Sequence, residues 1–150
     1  MVLADGTRLE LSQDAPRGRK QEADISPLPA VEAPSGPTKR VPLGTIIGAR
    51  SGDKGGNGNI GLWAKTSEGY AWLSSYLTID RFRELLPEAA AMDVRRFEFP
   101  RLNALNFVVV GLLGEGVSSS PRFDAQAKGL GEYLRARLVD IPESLLDDIA

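Results

Sequence analysis

Neither cysteine nor histidine occurs anywhere in the chain. The first absence excludes disulfides, thiol nucleophiles and thiolate metal sites. The second removes the usual general base of nucleophilic triads and the commonest transition-metal ligand. Any proton transfer must therefore use Asp, Glu, Lys, Tyr or water, with pKa values moved by burial or neighbouring charge. No spacing of carboxylates singles out a cluster, so neither a metal nor a cofactor is expected. Long apolar runs are missing too: none approaches the roughly 20 residues that span a bilayer. The opening Met1-Val2-Leu3-Ala4-Asp5-Gly6 lacks the basic stretch and apolar core of a signal peptide. A cytoplasmic location away from membranes fits these absences. A basic surplus is absent as well. The formal net charge is −2, whereas a protein that neutralises many phosphates needs a basic face, so nucleic acid is not an expected partner.

What remains is an ordinary globular composition, 42% hydrophobic and 25% charged, in a chain long enough for one well-filled core. Every aromatic residue lies between Trp63 and Tyr133, so the core must come from that part. Residues 12–41 read as a linker. They carry Pro16, Pro27, Pro29, Pro34 and Pro37 among alanines and charges, with too little apolar surface to offset the entropy of ordering. Ahead of the linker, residues 1–11 read as a β-hairpin turning at Asp5-Gly6. A lone hairpin is marginal in water, so it is expected to be the remnant of an upstream domain, the chain being the C-terminal part of a longer protein.

From residue 42 the pattern predicts regular elements. Residues 43–50 read as a strand, residues 51–58 as a glycine-rich loop, and residues 59–65 as a second strand. Residues 69–86 have helical periodicity, with a break at Leu77-Thr78 where Thr78 caps a second piece. Residues 94–99 alternate, with Phe97 and Phe99 opposite Arg96 and Glu98. Residues 104–113 are apolar on both faces, which suggests a central strand covered on both sides, by helices or by another subunit. Residues 121–138 read as a helix capped by Ser120, with Phe123, Ala127, Leu130, Leu134 and Leu138 on one stripe. Residues 141–150 form an acidic tail. The expected fold is α+β, a two-layer sandwich in ββαββα order, with two main helices on a four-stranded, mostly antiparallel sheet.

Two parts of this pattern suit chemistry. In residues 51–59, four glycines let backbone N–H groups converge in a nest, and Lys54 adds a positive charge suited to phosphate or carboxylate. Ser51, Gly52, Asp53, Lys54, Gly55, Asn57 and Asn59 are its candidate ligand-binding residues. Asp53 and Lys54 are the catalytic candidates, with Asp53 acting as a base or holding Lys54 in place. The plainer reading is a wide connection between strands. The second candidate is the helix start after the glycines at 114 and 116, where Ser119, Ser120 and Arg122 offer free N–H groups and a guanidinium to an anion. Its plainer reading is helix capping by Ser120. Asn106, beside a strongly apolar strand, reads as a structural brace for the backbone of residues 55–59.

Three ordered segments also carry a family likeness: Ala49-Arg50-Ser51-Gly52-Asp53-Lys54-Gly55-Gly56-Asn57-Gly58-Asn59-Ile60-Gly61, Leu102-Asn103-Ala104-Leu105-Asn106-Phe107 and Arg122-Phe123-Asp124-Ala125-Gln126-Ala127-Lys128. Together they resemble the AtuA-like ferredoxin-fold domain over residues 42–140, with Ala127 where the family has glycine. The resemblance implies a ferredoxin-like fold and an accessory or catalytic domain in acyclic terpene and branched acyl-CoA catabolism. The glycine-rich loop would then contact an anionic acyl-CoA or carboxylate group. The alternative is a non-catalytic oligomerisation module of a larger AtuA-type enzyme, partnered by its own copies and by the upstream AtuA-type domain.

Overall fold

The computed structural model describes residues 28–147. The expected hairpin, the linker up to residue 27 and the last three residues of the tail lie outside that range. The linker ends sooner than its composition suggests. Thr38–Pro42 forms strand β1 and pairs antiparallel with β6, Leu138–Pro142. Ile141 and Pro142, assigned to the tail from sequence, therefore belong to a strand, and Ile141 is fully buried.

After a 3-10 turn at Leu43–Thr45, β2 (Ile47–Lys54) and β3 (Asn57–Ala64) form a hairpin. Two helices follow, α1 (Ser67–Tyr76) and α2 (Ile79–Leu85). The Thr66 hydroxyl accepts the Gly69 N–H at 3.1 Å, and Thr78 accepts that of Arg81 at 3.2 Å. Each threonine satisfies a first-turn donor that has no partner within its helix. The expected break at Leu77-Thr78 is therefore real. Strands β4 (Val94–Phe99) and β5 (Ala104–Val109) make the second hairpin, turning at Asn103 in the left-handed region. Last come α3 (Leu130–Arg135) and β6.

The main sheet has the order β2-β3-β5-β4 and is antiparallel throughout. The chain departs from a bare ββαββα order by its split first helix and by the flanking β1–β6 ribbon. Ile60 and Leu62 of β3 and Leu105 and Phe107 of β5 point to the covered face and are buried. Phe82 of α2 stacks on Phe107 with centroids 4.2 Å apart. Gly131 of α3 lies against Ala49 and Ser51 of β2 on the same face.

Among the described residues the other face is open. Its rows across the sheet, read from the register, are Gly48-Trp63-Ala104-Phe99, then Arg50-Gly61-Asn106-Phe97, then Gly52-Asn59-Val108-Arg95. Strand β5 is thus central, and among the described residues of the chain it is covered on one side. In β4 the alternation is as expected. The Arg96 guanidinium turns inward to donate to the Leu77 and Ser74 carbonyls at 3.1 and 2.8 Å. Those are carbonyls at the end of α1, where a cation complements the helix dipole. Phe97 and Phe99 are left on the open face.

The predicted helix over 121–138 is corrected most. Helix α3 has six residues. The Asp124 carboxylate accepts the Lys128 and Gly129 N–H groups at 2.9 and 2.8 Å, so it organises a turn where the helix was expected. Ala127 takes a positive φ of 55° within that turn, and Phe123 is fully exposed. Leu138 lies on the helical stripe by spacing, yet the buried Val139 and Ile141 alternate with exposed Leu138 and Asp140, which is a strand pattern. Among the described residues no helix is long and apolar enough to cross a membrane.

Candidate functional site: the glycine-rich hairpin and the open sheet face

The glycine-rich stretch is not a loop. Residues 51–54 pair with 57–60 in regular antiparallel register, and the turn is Gly55-Gly56 alone. Gly55 has a φ of 61°, the positive value that the first central position of a II′ hairpin turn requires. In such a ladder successive N–H groups point to alternate edges, so they do not converge on one anion as a nest demands. The glycines serve close packing instead. A Cβ on Gly56 would lie 2.2 Å from the Gly114 carbonyl oxygen, and one on Gly58 would lie 2.6 Å from the Leu112 side chain.

Most of the polar groups here are bound within the fold. The Ser51 hydroxyl meets the Gly131 N–H and the Lys128 carbonyl, both at 2.9 Å. The Asn57 carbonyl oxygen accepts the Gly111 N–H at 2.9 Å. Asn59 accepts from the Asn106 amide at 3.1 Å, so Asn106 braces the hairpin through a side chain rather than through the backbone of residues 55–59. Asp53 and Lys54 are adjacent on an extended strand and face opposite sides of the sheet. Asp53 does not hold Lys54 in place, because no ion pair joins them among the described residues.

The two glycine-containing segments do meet. The Leu113 N–H donates to the Gly56 carbonyl at 2.9 Å, and Gly114 presses on Gly56. They meet in backbone contact, with no helix start beside them. Ser120 caps nothing, and its hydroxyl is buried without a hydrogen bond among the described residues. Ser119 bonds back to the Gly116 carbonyl at 3.3 Å, and Arg122 is paired with Glu88 at 2.6 Å. The guanidinium expected to meet an anion is therefore already neutralised.

Residues that sequence reading passed over stand on the open face. Trp63, Phe97 and Phe99 are 42%, 47% and 46% exposed. The Trp63 ring lies across β2: a Cβ on Gly48 would fall 2.3 Å from its Cε2. Arg50 and Lys54 flank Gly52 on the same face, and neither makes a hydrogen bond or ion pair among the described residues. The outward positions of the four strands hold Arg50, Lys54 and Arg95 and no carboxylate. The period-2 alternation of β4 was the available signal.

A separate cleft of about 540 Å³ lies between residues 28–33 and α1, lined in part by Tyr70, Ser74 and Glu98. Burial raises the Tyr70 pKa above 10.0, helped by the nearby Glu98 carboxylate. Among the described residues no group of His, Asp or Glu side chains is placed to hold a metal ion.

No curated protein and no solved structure matches the chain. A family model does, the AtuA ferredoxin-like domain, over residues 41–140. That span includes all four strands of the main sheet, all three helices and the glycine-rich hairpin, and the chain belongs to the AtuA ferredoxin-like domain family.

Proposed function

We propose that this AtuA-family domain is an association module that docks on a second copy of itself through the β4–β5 half of its open sheet face. One observation supports this above the rest: Phe97 and Phe99, nearly half exposed, stand side by side in adjacent rows of an uncovered sheet. Ala104 and Val108 extend the apolar surface, and Leu102 at the hairpin turn is exposed beside it. Burying one such side chain contributes about 1.5–3 kcal/mol. A contiguous exposed apolar patch on a soluble domain marks a contact surface. A catalytic reading is less supported, because Asp53 and Lys54 point to opposite faces and the Ser51 hydroxyl and Asn57 carbonyl oxygen are engaged in internal bonds.

Sedimentation equilibrium over a wide concentration range tests the reading. The wild-type chain is expected to dimerise, and the double variant Phe97→Ser, Phe99→Ser is expected to be monomeric with unchanged far-UV circular dichroism. A wild-type chain that stays monomeric at every concentration defeats the proposal.

A further inference from the structure

The β2–β3 half of the same face has a different chemistry. Trp63 does not stand up from the sheet. Its indole lies down over Gly48 of the edge strand, an approach that only glycine permits. Covering an edge-strand glycine accounts for one face of the ring. The other face points to solvent, and the residue keeps 42% of its surface exposed. A flat, outward-facing indole on a rigid strand is a stacking platform.

Two residues along β2 from Gly48, about 7 Å away, comes Arg50, and Lys54 follows beyond Gly52. Both cations lack a partner among the described residues, and nothing lies within 4 Å above Gly52. Asn59 of β3 stands beside Gly52, between the rows of the two cations. Its carbonyl oxygen accepts from the Asn106 amide, which leaves its own amide NH₂ for a ligand. Platform and cations thus follow one another along β2, with Arg50 near enough to the indole to meet the phosphate of a nucleoside whose base stacks there.

We infer that the β2–β3 half of the open face is a binding site for a nucleoside phosphate. Its base stacks on Trp63, and its phosphate is held by Arg50 and Lys54. Stacking on an aromatic ring and a charge-assisted bond from a guanidinium are each substantial at a site fixed by a sheet. A nucleic-acid strand fits less well, since this half offers one indole and the chain as a whole carries a charge of −2. The aromatic pair Phe97 and Phe99 is separate from the site. Phe97 shares a row with Arg50 but stands three strand spacings away, about 14 Å.

The full chain is titrated with AMP, adenosine, inorganic phosphate and a short oligo(dA), following tryptophan emission and heat of binding. Trp72 is buried at 6% exposure, so quenching reports on Trp63. AMP is expected to quench saturably, with adenosine and phosphate each at least about tenfold weaker. By calorimetry Trp63→Leu and Arg50→Ala should each weaken AMP by roughly tenfold, while Phe97→Ser leaves it unchanged. Arg50→Ala keeps the Trp63–Gly48 contact and so separates binding from folding. The inference is overturned by no saturable quenching up to about 1 mM AMP or by AMP binding insensitive to both substitutions. Phosphate binding as tight as AMP, or far tighter and steeply salt-dependent binding of oligo(dA), overturns it equally. Loss of AMP binding in Phe97→Ser also overturns it.

Discussion

The Ser51 hydroxyl of β2 receives the Gly131 N–H of α3 at 2.9 Å, so a strand residue caps a helix 80 positions later in the chain. Helix α3 has no side-chain cap of its own, and the N–H groups of its first turn have no partner within it. Ser51→Ala should cost about 1–2 kcal/mol, the usual price of a lost cap. Urea denaturation measures it, and an unchanged midpoint would mean that water replaces the hydroxyl without loss.

Two glycines of the hairpin should respond oppositely to alanine. Gly56→Ala forces a methyl group into the Gly114 carbonyl oxygen, 2.2 Å from the ideal Cβ position. Overpacking against backbone costs about 1–3 kcal/mol. Gly52→Ala meets nothing within 4 Å, and replacing a strand glycine should be neutral or stabilising by up to about 1 kcal/mol. Thermal melts of the two variants check the contrast; equal losses would show that the hairpin tip is not packed against residue 114.

Neighbouring arginines on β4 offer a second contrast. Arg96→Met keeps the aliphatic length but removes the donors to the Leu77 and Ser74 carbonyls, at about 1.5–3 kcal/mol for bonds from a charged group. Arg95 is exposed and pairs with exposed Asp93 at 3.1 Å. Arg95→Met should stay within about 0.5 kcal/mol of wild type. Chemical denaturation of both variants decides whether the inward arginine anchors the end of α1.

Alkaline pH should destabilise the protein through Tyr70 and Tyr76, whose pKa values are raised chiefly by burial. Unfolded tyrosines ionise near the ordinary value of 10.0, whereas the folded ones keep their protons longer. The unfolded state therefore loses protons first as pH climbs past that value, and stability falls with it. Below it neither state ionises these groups and their effect is nil. With no histidine or cysteine to titrate, Tm should be nearly flat from about pH 6 to about pH 9. A drop centred near neutrality would contradict this origin.

Local chemistry made much of the fold legible. Thr78 caps α2 at the expected break, and the alternation of β4 falls where its residues alternate. What failed was decided by partners distant in sequence. Glycines at 52, 55, 56 and 58 look like a loop until β3 is seen paired with β5, which supplies a template for β2. The stripe Leu130, Leu134, Leu138 suits a helix. Only pairing with β1, more than 90 residues earlier, turns its last member into a strand. The candidate site shifted for the same reason. Alternation shows that Phe97 and Arg96 oppose each other but not which one faces α1, and the indole of Trp63 lies flat because residue 48, on another strand, is glycine.

The β1–β6 ribbon brings Thr38 opposite Pro142, and the Glu143 N–H reaches the Pro37 carbonyl at 2.9 Å. Tension applied through whatever is attached before residue 37 and after residue 143 enters at one end of a two-stranded ladder. It loads the rungs one at a time rather than in parallel shear. The ribbon would peel open at low force while the four-stranded sheet, with both halves of its open face, stays whole.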